Sequence, residues 1–149
     1  MVSYVTLAGK SSWALINSYY SSLRRGLKVE RILIVVEDRD VEKVELLKRA
    51  VEEVSAAYGM SPEIKVLSLK FPPDINLLKK MFRRMGDIVL DITAGRKSLV
   101  MVSIVALSFL GGKVIYLSLL EEDEGEKPHM MIPLHLQKTI EVEVSGVHN

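Results

Sequence analysis

Two short polar stretches of this chain carry the residue types that bind phosphate. They are "AGKSSW", residues 8–13, and "DITAGRKS", residues 91–98, and each follows a run of apolar residues. A small residue lets the backbone approach an anion, the first N–H groups of a following helix point at it, and Lys or Arg neutralises it. Neither stretch is a Walker phosphate loop, because Tyr4 and Leu90 stand where that pattern needs its first glycine.

The composition narrows the classes of function. The 149 residues are 48% hydrophobic and 26% charged, which predicts one globular domain over residues 1–149. The net charge of +1 creates no basic field, so we expect neither a long nucleic acid nor an anionic membrane as a partner. The amino terminus does not resemble a signal peptide, and the apolar run 99–110 is too short to span a bilayer. We therefore expect a cytoplasmic protein.

The chain has few groups for metal or cofactor chemistry. Cysteine is absent, and the three histidines, His129, His135 and His148, all lie near the carboxyl terminus. No G-x-G-x-x-G motif for a dinucleotide is present. We expect no metal ion and no cofactor. The low content of Asn, Gln and Cys favours a thermophilic source.

The apolar pattern predicts the elements that position the two polar stretches. Short β-branched runs alternate with helical spacing, which is typical of βα units around a parallel sheet. We expect a Rossmann-like α/β fold with a mostly parallel sheet of strand order 3-2-1-4-5, helices on both faces, and one or two carboxyl-terminal edge strands. The βα core covers 1–120, and 121–149 form an acidic loop and the edge strands. Predicted strands cover 3–8, 31–37, 63–70, 87–92 and 111–120, and predicted helices cover 11–25, a segment capped by Asp40, 72–86 capped by Asp74, and 95–110.

That strand order brings the two polar stretches together. The first and fourth strands are neighbours, and their following helices lie on opposite faces, so the stretches flank the crevice where such sheets bind ligands. An alternative remains open, in which Ser11 and Thr93 only cap helices and the cations are solvent-exposed. Trp13 either anchors the core or stacks on a base at the rim of the crevice.

The predicted helix 95–110 is apolar nearly all round, with small residues between the large ones. Such a helix is either deeply buried or at a subunit interface. A homodimer through this helix would place two crevices side by side and form one two-fold pocket.

The stretch "DITAGRKSLVMVSIVAL" resembles the D-[ILV]-T-G-G-[TR]-K motif of the CRISPR-associated Rossmann fold (CARF) domains, which sense cyclic oligoadenylates. The similarity covers residues 1–120, with Ala94 standing where the family commonly has glycine. The resemblance implies a homodimer whose cyclic ligand spans both subunits. It also implies that the ligand phosphates are lined by Thr93, Ala94, Gly95, Arg96 and Lys97 on one side and by Ala8, Gly9, Lys10, Ser11 and Ser12 on the other.

Within that family the chain resembles the standalone ring nucleases, because it has neither the Arg–His pair of a HEPN ribonuclease nor a winged-helix segment. Ring nucleases cut cyclic tetra-adenylate and so switch off type III CRISPR signalling. A metal-independent reaction would use the ligand's own 2′-hydroxyl, with Lys97 stabilising charge, Ser11 positioning the phosphate or the hydroxyl, and Arg96 or Lys10 assisting. Two alternatives stay open: a non-catalytic sensor domain for a fused or partner effector, and an unrelated nucleotide-binding or structural Rossmann-like domain.

Overall fold

A sheet of six strands lies between two layers of helices in the computed structural model, which describes residues 1–119 and 137–146. In chain order the elements are β1 (Val2–Leu7), α1 (Ser12–Arg24), β2 (Val29–Glu37), a 3₁₀ helix (Asp38–Lys43), α2 (Val44–Ala57), β3 (Glu63–Leu69), α3 (Ile75–Arg83), β4 (Ile88–Asp91), α4 (Lys97–Ser108), β5 (Gly112–Leu119) and β6 (Gln137–Val144). No helix in the described ranges has the length and apolar character needed to cross a membrane.

The strand order is β3-β2-β1-β4-β5-β6, which confirms the predicted Rossmann-like order. The first five strands pair in parallel, and β6 pairs antiparallel with β5 at the edge. Thr6 near the end of β1 pairs with Ile34 of β2 and with Asp91 of β4, so the carboxyl ends of these strands lie at one edge. The acidic loop and residues 129–136, the segment of the other predicted edge strand, lie outside the described residues.

The central strand β1 is buried on both faces, because helices cover each side of the sheet. Tyr4 faces the cluster formed with α1 and α2, and Val5 faces the cluster formed with α3 and α4. Fully burying one large apolar side chain stabilises the fold by about 1.5–3 kcal/mol. Because each cluster buries many such side chains, the two clusters hold the strand ends in fixed positions. Helix α4 is buried on one side only: Leu99 and Ala106 pack on the sheet, whereas Met101 is 63% exposed.

The helix ends agree with the sequence in part. The side chain of Asp74 caps α3 as predicted, and the side chain of Ser11 caps α1, which is the role named for it in the open alternative; each accepts a backbone N–H bond. The prediction that Asp40 caps the next helix is wrong. Asp40 lies inside the 3₁₀ helix, and α2 begins after Lys43 without a side-chain cap. The carboxylate of Asp40 is held instead by the guanidinium of Arg96.

Candidate functional site

The carboxyl ends of β1 and β4 border a cleft of about 620 Å³. Residues of both polar stretches line it, so the two stretches meet at this edge of the sheet, as the strand order predicted. The cleft is lined by Lys10, Ser11, Ala14, Arg39, Phe71, Thr93, Ala94, Gly95, Arg96, Lys97 and Ser98.

The two stretches touch through their backbones. A Cβ atom added to Gly9 would lie 1.7 Å from the carbonyl oxygen of Ala94, so no other residue fits there without moving the second stretch. A Cβ on Gly95 would lie 2.7 Å from the Cβ of Leu7. Ala94 itself packs against the apolar cluster under α1. The floor of the cleft is therefore a close backbone contact that needs glycine on each side.

A buried hydrogen-bond network holds the second stretch. Asp91 is 1% exposed and accepts from the hydroxyl of Tyr4, from the Thr93 backbone N–H at 3.0 Å and from Thr93 Oγ1 at 2.6 Å. Thr93 Oγ1 also accepts from the Leu117 N–H at 2.9 Å and lies 3.0 Å from Ser18 Oγ. The hydroxyl of Thr93 is thus fully engaged within the fold. This hydroxyl therefore positions the loop. A contact of Thr93 with a ligand would come from its backbone.

Burial sets the ionisation of the two acidic groups in this network. It raises the pKa of Asp91, and the hydrogen bonds that its carboxylate accepts partly oppose that effect. It also raises the pKa of Tyr4 well above its ordinary value, with the neighbouring Asp91 charge adding to the shift. Tyr4 is therefore a neutral donor that belongs to the frame of the site.

The 3₁₀ helix after β2, which we call the 38–43 segment, holds both stretches from a third side. Arg96 donates to Asp40 through Nε at 2.6 Å and through Nη2 at 2.9 Å, and the Asp40 side chain is 3% exposed. The hydrogen bond from Arg96 holds the pKa of Asp40 below its usual value. Lys43 Nζ donates to the carbonyl oxygens of Gly9 at 2.7 Å and Lys10 at 2.9 Å.

Sequence reasoning missed the 38–43 segment, since Asp40 was expected to cap a helix and no contact was predicted for Lys43. The signal was present as "EDRD", a cluster of charges where a buried strand ends beside the first strand. Four charged residues at the carboxyl end of a central strand indicate a role at the ligand edge of the sheet.

The cations of the cleft differ in their freedom. Arg96 is neutralised by its bidentate pair with Asp40. The side chains of Lys10 and Lys97 are exposed, and within the part of the chain that the structure describes neither has an ion pair or hydrogen bond. Lys10 and Lys97 therefore carry the uncompensated positive charge of the predicted set.

Two helix ends add donors to the cleft. Arg96 stands at the N-cap of α4 and offers no side-chain cap, so the first N–H groups of α4 remain available to an anion. Ser11 Oγ accepts from the Ala14 N–H at 3.2 Å, which leaves its hydroxyl hydrogen free to donate. The capping role of Ser11 and a ligand role are thus compatible.

Four of the predicted ligand residues do not line the cleft. Ala8 and Gly9 are buried beneath it, and Ser12 begins α1. Trp13 is 39% exposed on α1 and belongs neither to the buried core nor to the cleft lining. The other seven, Lys10, Ser11, Thr93, Ala94, Gly95, Arg96 and Lys97, lie on its surface.

Sequence reasoning also missed two residues at the rim. Arg39 Nε donates to Glu37 Oε2 at 2.7 Å, and its guanidinium carbon lies 5.8 Å from the centroid of the Phe71 ring. The signal for Phe71 was its place in "KFPPD", an aromatic residue directly after the third strand and therefore at the ligand edge of the sheet.

No arrangement suited to a metal ion occurs in residues 1–119 and 137–146, where no three His, Cys, Asp or Glu residues come together in the way a metal needs. The three histidines lie outside the described residues.

Comparison with known proteins shows the fold. No family model and no curated protein matches the chain. The solved structure of Can2 from Sulfobacillus thermosulfidooxidans, in complex with cyclic tetra-adenylate, matches 82% of this chain with a TM-score of 0.57 and 15% sequence identity. The match covers 33% of Can2, so the chain spans about a third of the length of that protein. The likeness shows that the two proteins share a fold across most of this chain.

Proposed function

We propose that two copies of this chain bind one cyclic oligoadenylate, with cyclic tetra-adenylate as the first candidate, and cleave it without a metal ion. The observation that carries the proposal is the cleft itself, where Lys10, Lys97 and the open amino terminus of α4 converge at the switch point of the sheet. Two findings support the choice of ligand: the shared fold with Can2, which was solved with cyclic tetra-adenylate, and the resemblance of residues 91–97 to the CARF motif.

The ion pairing in the cleft assigns different roles to its cations. A phosphate needs charge that is not already compensated, so Lys10 and Lys97 are the phosphate ligands and Lys10, not Arg96, is the assisting cation. Arg96 shapes the loop through Asp40. The Ser11 hydroxyl donates its free hydrogen to a phosphate oxygen or orients the 2′-hydroxyl.

The outer face of α4 supports the homodimer. Met101 and Val105 lie one turn apart on this face and are 63% and 43% exposed, and Phe109 at the C-cap of α4 is 40% exposed, so the three form one apolar stripe. Exposed apolar patches mark interaction sites. The first turn of α4 lies in the cleft, so a two-fold contact along this helix would place two clefts beside each other.

The proposed reaction is an internal transesterification. The 2′-oxygen of one ribose attacks the adjacent phosphorus, forming an O2′–P bond while the P–O5′ bond breaks. The 2′-hydroxyl loses its proton and the departing 5′-oxygen gains one, so the products are linear and end in a 2′,3′-cyclic phosphate and a 5′-hydroxyl. The Lys97 ammonium stabilises the negative charge that develops on the phosphoryl oxygens, and the residues of the cleft hold the in-line geometry.

Incubation with cyclic tetra-adenylate in EDTA, followed by mass analysis, tests the proposal. We expect linear products from the wild type, and about a hundredfold slower cleavage by Lys97→Ala with binding retained, since one such contact is worth about 3 kcal/mol of barrier. The matched control is Lys80→Ala, an exposed lysine of α3 outside the cleft, which should cleave like the wild type. Intact ligand after prolonged incubation with excess wild-type protein would rule out the nuclease.

A sensor without catalysis is the second candidate. The observation that favours it is the coverage of Can2, in which the shared fold occupies 33% of a longer chain. This function predicts tight binding of cyclic tetra-adenylate and no product. Calorimetric titration with rings of four and six adenylates separates both candidates from an unrelated nucleotide-binding domain, which would bind neither ring.

A further inference from the structure

We propose that Phe71 is the surface on which a nucleobase of the ligand stacks, while the phosphate lies against Lys97 and the first turn of α4. The inference rests on the proposed function, because it assigns the base end of the same ligand. It concerns a residue that neither the sequence motif nor the first polar stretch includes.

The exposure of Phe71 is the first observation. Its side chain is 68% exposed, more than any other large apolar residue in the described ranges except Met1 at the chain start. It stands two residues after the end of β3 and lines the same cleft as Lys97. Single exposed apolar residues are common on protein surfaces, but this one is aromatic and sits at the rim of an anion site.

A chain of contacts ties the ring to the phosphate end of the cleft. The Arg39 guanidinium lies 5.8 Å from the Phe71 ring centroid, and Arg39 Nε donates to Glu37 at 2.7 Å. Glu37 is 0% exposed, and its second carboxylate oxygen accepts from Ser98 in the first turn of α4. The ring position is therefore coupled to the helix end that would receive the phosphate.

The charge of Arg39 is compensated within this chain of contacts. A buried carboxylate needs charged or polar partners, and Glu37 forms an ion pair with Arg39. Arg39 thus supports the ring from one side rather than adding a phosphate ligand. The exposed remainder of the ring is open to a flat aromatic partner in the cleft.

A nucleobase is the partner that fits these observations. A ligand held by phosphate alone would not need an aromatic rim, whereas base stacking on an aromatic side chain is a recurrent way to bind unpaired nucleotides. Larger ring systems stack over more area, so the Phe71 ring favours adenine over a pyrimidine. Phe71 then contributes to the choice of base, and the lysines do not.

Two binding measurements test the inference. In the first, cyclic tetra-adenylate is titrated into the wild type, Phe71→Ala, Phe71→Trp and the control Leu46→Ala, whose exposed side chain lies on α2 outside the cleft. We expect at least about thirtyfold weaker binding for Phe71→Ala, because each of the two copies loses one stacked base, and near wild-type binding for Phe71→Trp and Leu46→Ala.

The second measurement does not depend on the cyclic ligand. The chain has three phenylalanines, so the ring signals of Phe71 in a nuclear magnetic resonance spectrum are identified by their loss in Phe71→Ala. We expect AMP at millimolar concentration to shift these signals and ribose 5-phosphate to leave them in place.

The outcomes separate the two proposals. If the wild type binds cyclic tetra-adenylate and Phe71→Ala binds it equally well, base stacking on Phe71 is wrong and the proposed function stands. If the wild type does not bind cyclic tetra-adenylate but AMP shifts the Phe71 signals, base stacking on Phe71 stands and the proposed function is wrong. If AMP and ribose 5-phosphate have the same effect on the Phe71 signals, stacking on Phe71 is overturned, whether or not cyclic tetra-adenylate binds.

Discussion

Single residues of the second polar stretch divide between those that hold the fold and those that stay available to the proposed ligand. The hydroxyl of Thr93 is used by Asp91, Ser18 and the Leu117 N–H, and the guanidinium of Arg96 is used by Asp40. Lys97, one residue further on, has no such partner in the described ranges. A motif read from sequence cannot show this division, because the partners come from other elements.

The bonding of Thr93 predicts a loss of stability in Thr93→Val. Valine keeps the shape but removes the hydroxyl, which leaves the Leu117 N–H without its acceptor and removes one donor from the buried Asp91 carboxylate. We expect the free energy of unfolding to fall by about 1–3 kcal/mol, measured by urea denaturation. Thr139→Val on β6 is the control, since that hydroxyl has no hydrogen bond among the described residues, and it should change stability by less than about 0.5 kcal/mol. Equal effects in the two variants would contradict the role given to Thr93.

At the scale of elements, the cleft is made by three connections that follow β1, β2 and β4. The first and third touch at Gly9 and Ala94, and the 38–43 segment bonds to both. Removing either kind of contact should loosen the site while leaving the side chains of Lys10 and Lys97, the proposed phosphate ligands, in the chain.

Gly9→Ala tests the backbone contact. The new methyl group would lie 1.7 Å from a carbonyl oxygen that cannot rotate away, so we expect a loss of about 1–3 kcal/mol in the free energy of unfolding and weaker ligand binding. Gly86→Ala is the matched control, because no atom lies within 4 Å of its added Cβ and neither glycine has a positive φ. Wild-type stability and affinity in Gly9→Ala would show that the two stretches do not need to touch.

The pair of Asp40 and Arg96 predicts a dependence of stability on pH. The pKa of Asp40 is lower in the folded chain than its usual 3.8, so its contribution is complete above that pH and is lost as the pH falls through the lower folded value. We expect Asp40→Asn to be less stable than the wild type by about 1.5–3 kcal/mol at pH 7, with the difference shrinking below pH 3.8.

Urea unfolding of the two proteins between pH 7 and the acid limit of the fold measures this difference. Asp87→Asn serves as the control, because Asp87 is exposed and has no ion pair in the described part of the chain. A gap between wild type and Asp40→Asn that stays constant as the pH falls would exclude the carboxylate as its source.

For the whole molecule, the sequence was sufficient for the strand order and for the meeting of the two polar stretches. Alternating β-branched and helical runs specify βα units, and the rules of parallel sheets then place the first and fourth strands side by side. It was not sufficient for the contacts of Lys43 with Gly9, across 34 positions, or of Arg96 with Asp40, across 56. Such contacts depend on the exact approach of loops, which periodicity does not encode.

The apolar stripe on α4 predicts the assembly of the molecule. Val105→Glu places a charge on the stripe at a position already 43% exposed, so the fold should tolerate it while the dimer does not form. Light scattering after gel filtration should give a dimer for the wild type and a monomer for Val105→Glu. Leu46→Glu on α2, 58% exposed in the wild type, should remain dimeric. A monomeric wild type that binds the ring one to one would refute the two-fold pocket.

The central place of β1 has a consequence for how the protein is synthesised. β1 emerges from the ribosome before β2 and β4, so it can pair with β2, and Gly9 after it can accept the bond from Lys43, before β4 and the helix that carries Lys97 are made. A nascent chain therefore holds only half of the cleft. The ability to capture a ligand should arise late in translation and in a single step, when the second polar stretch folds against Gly9.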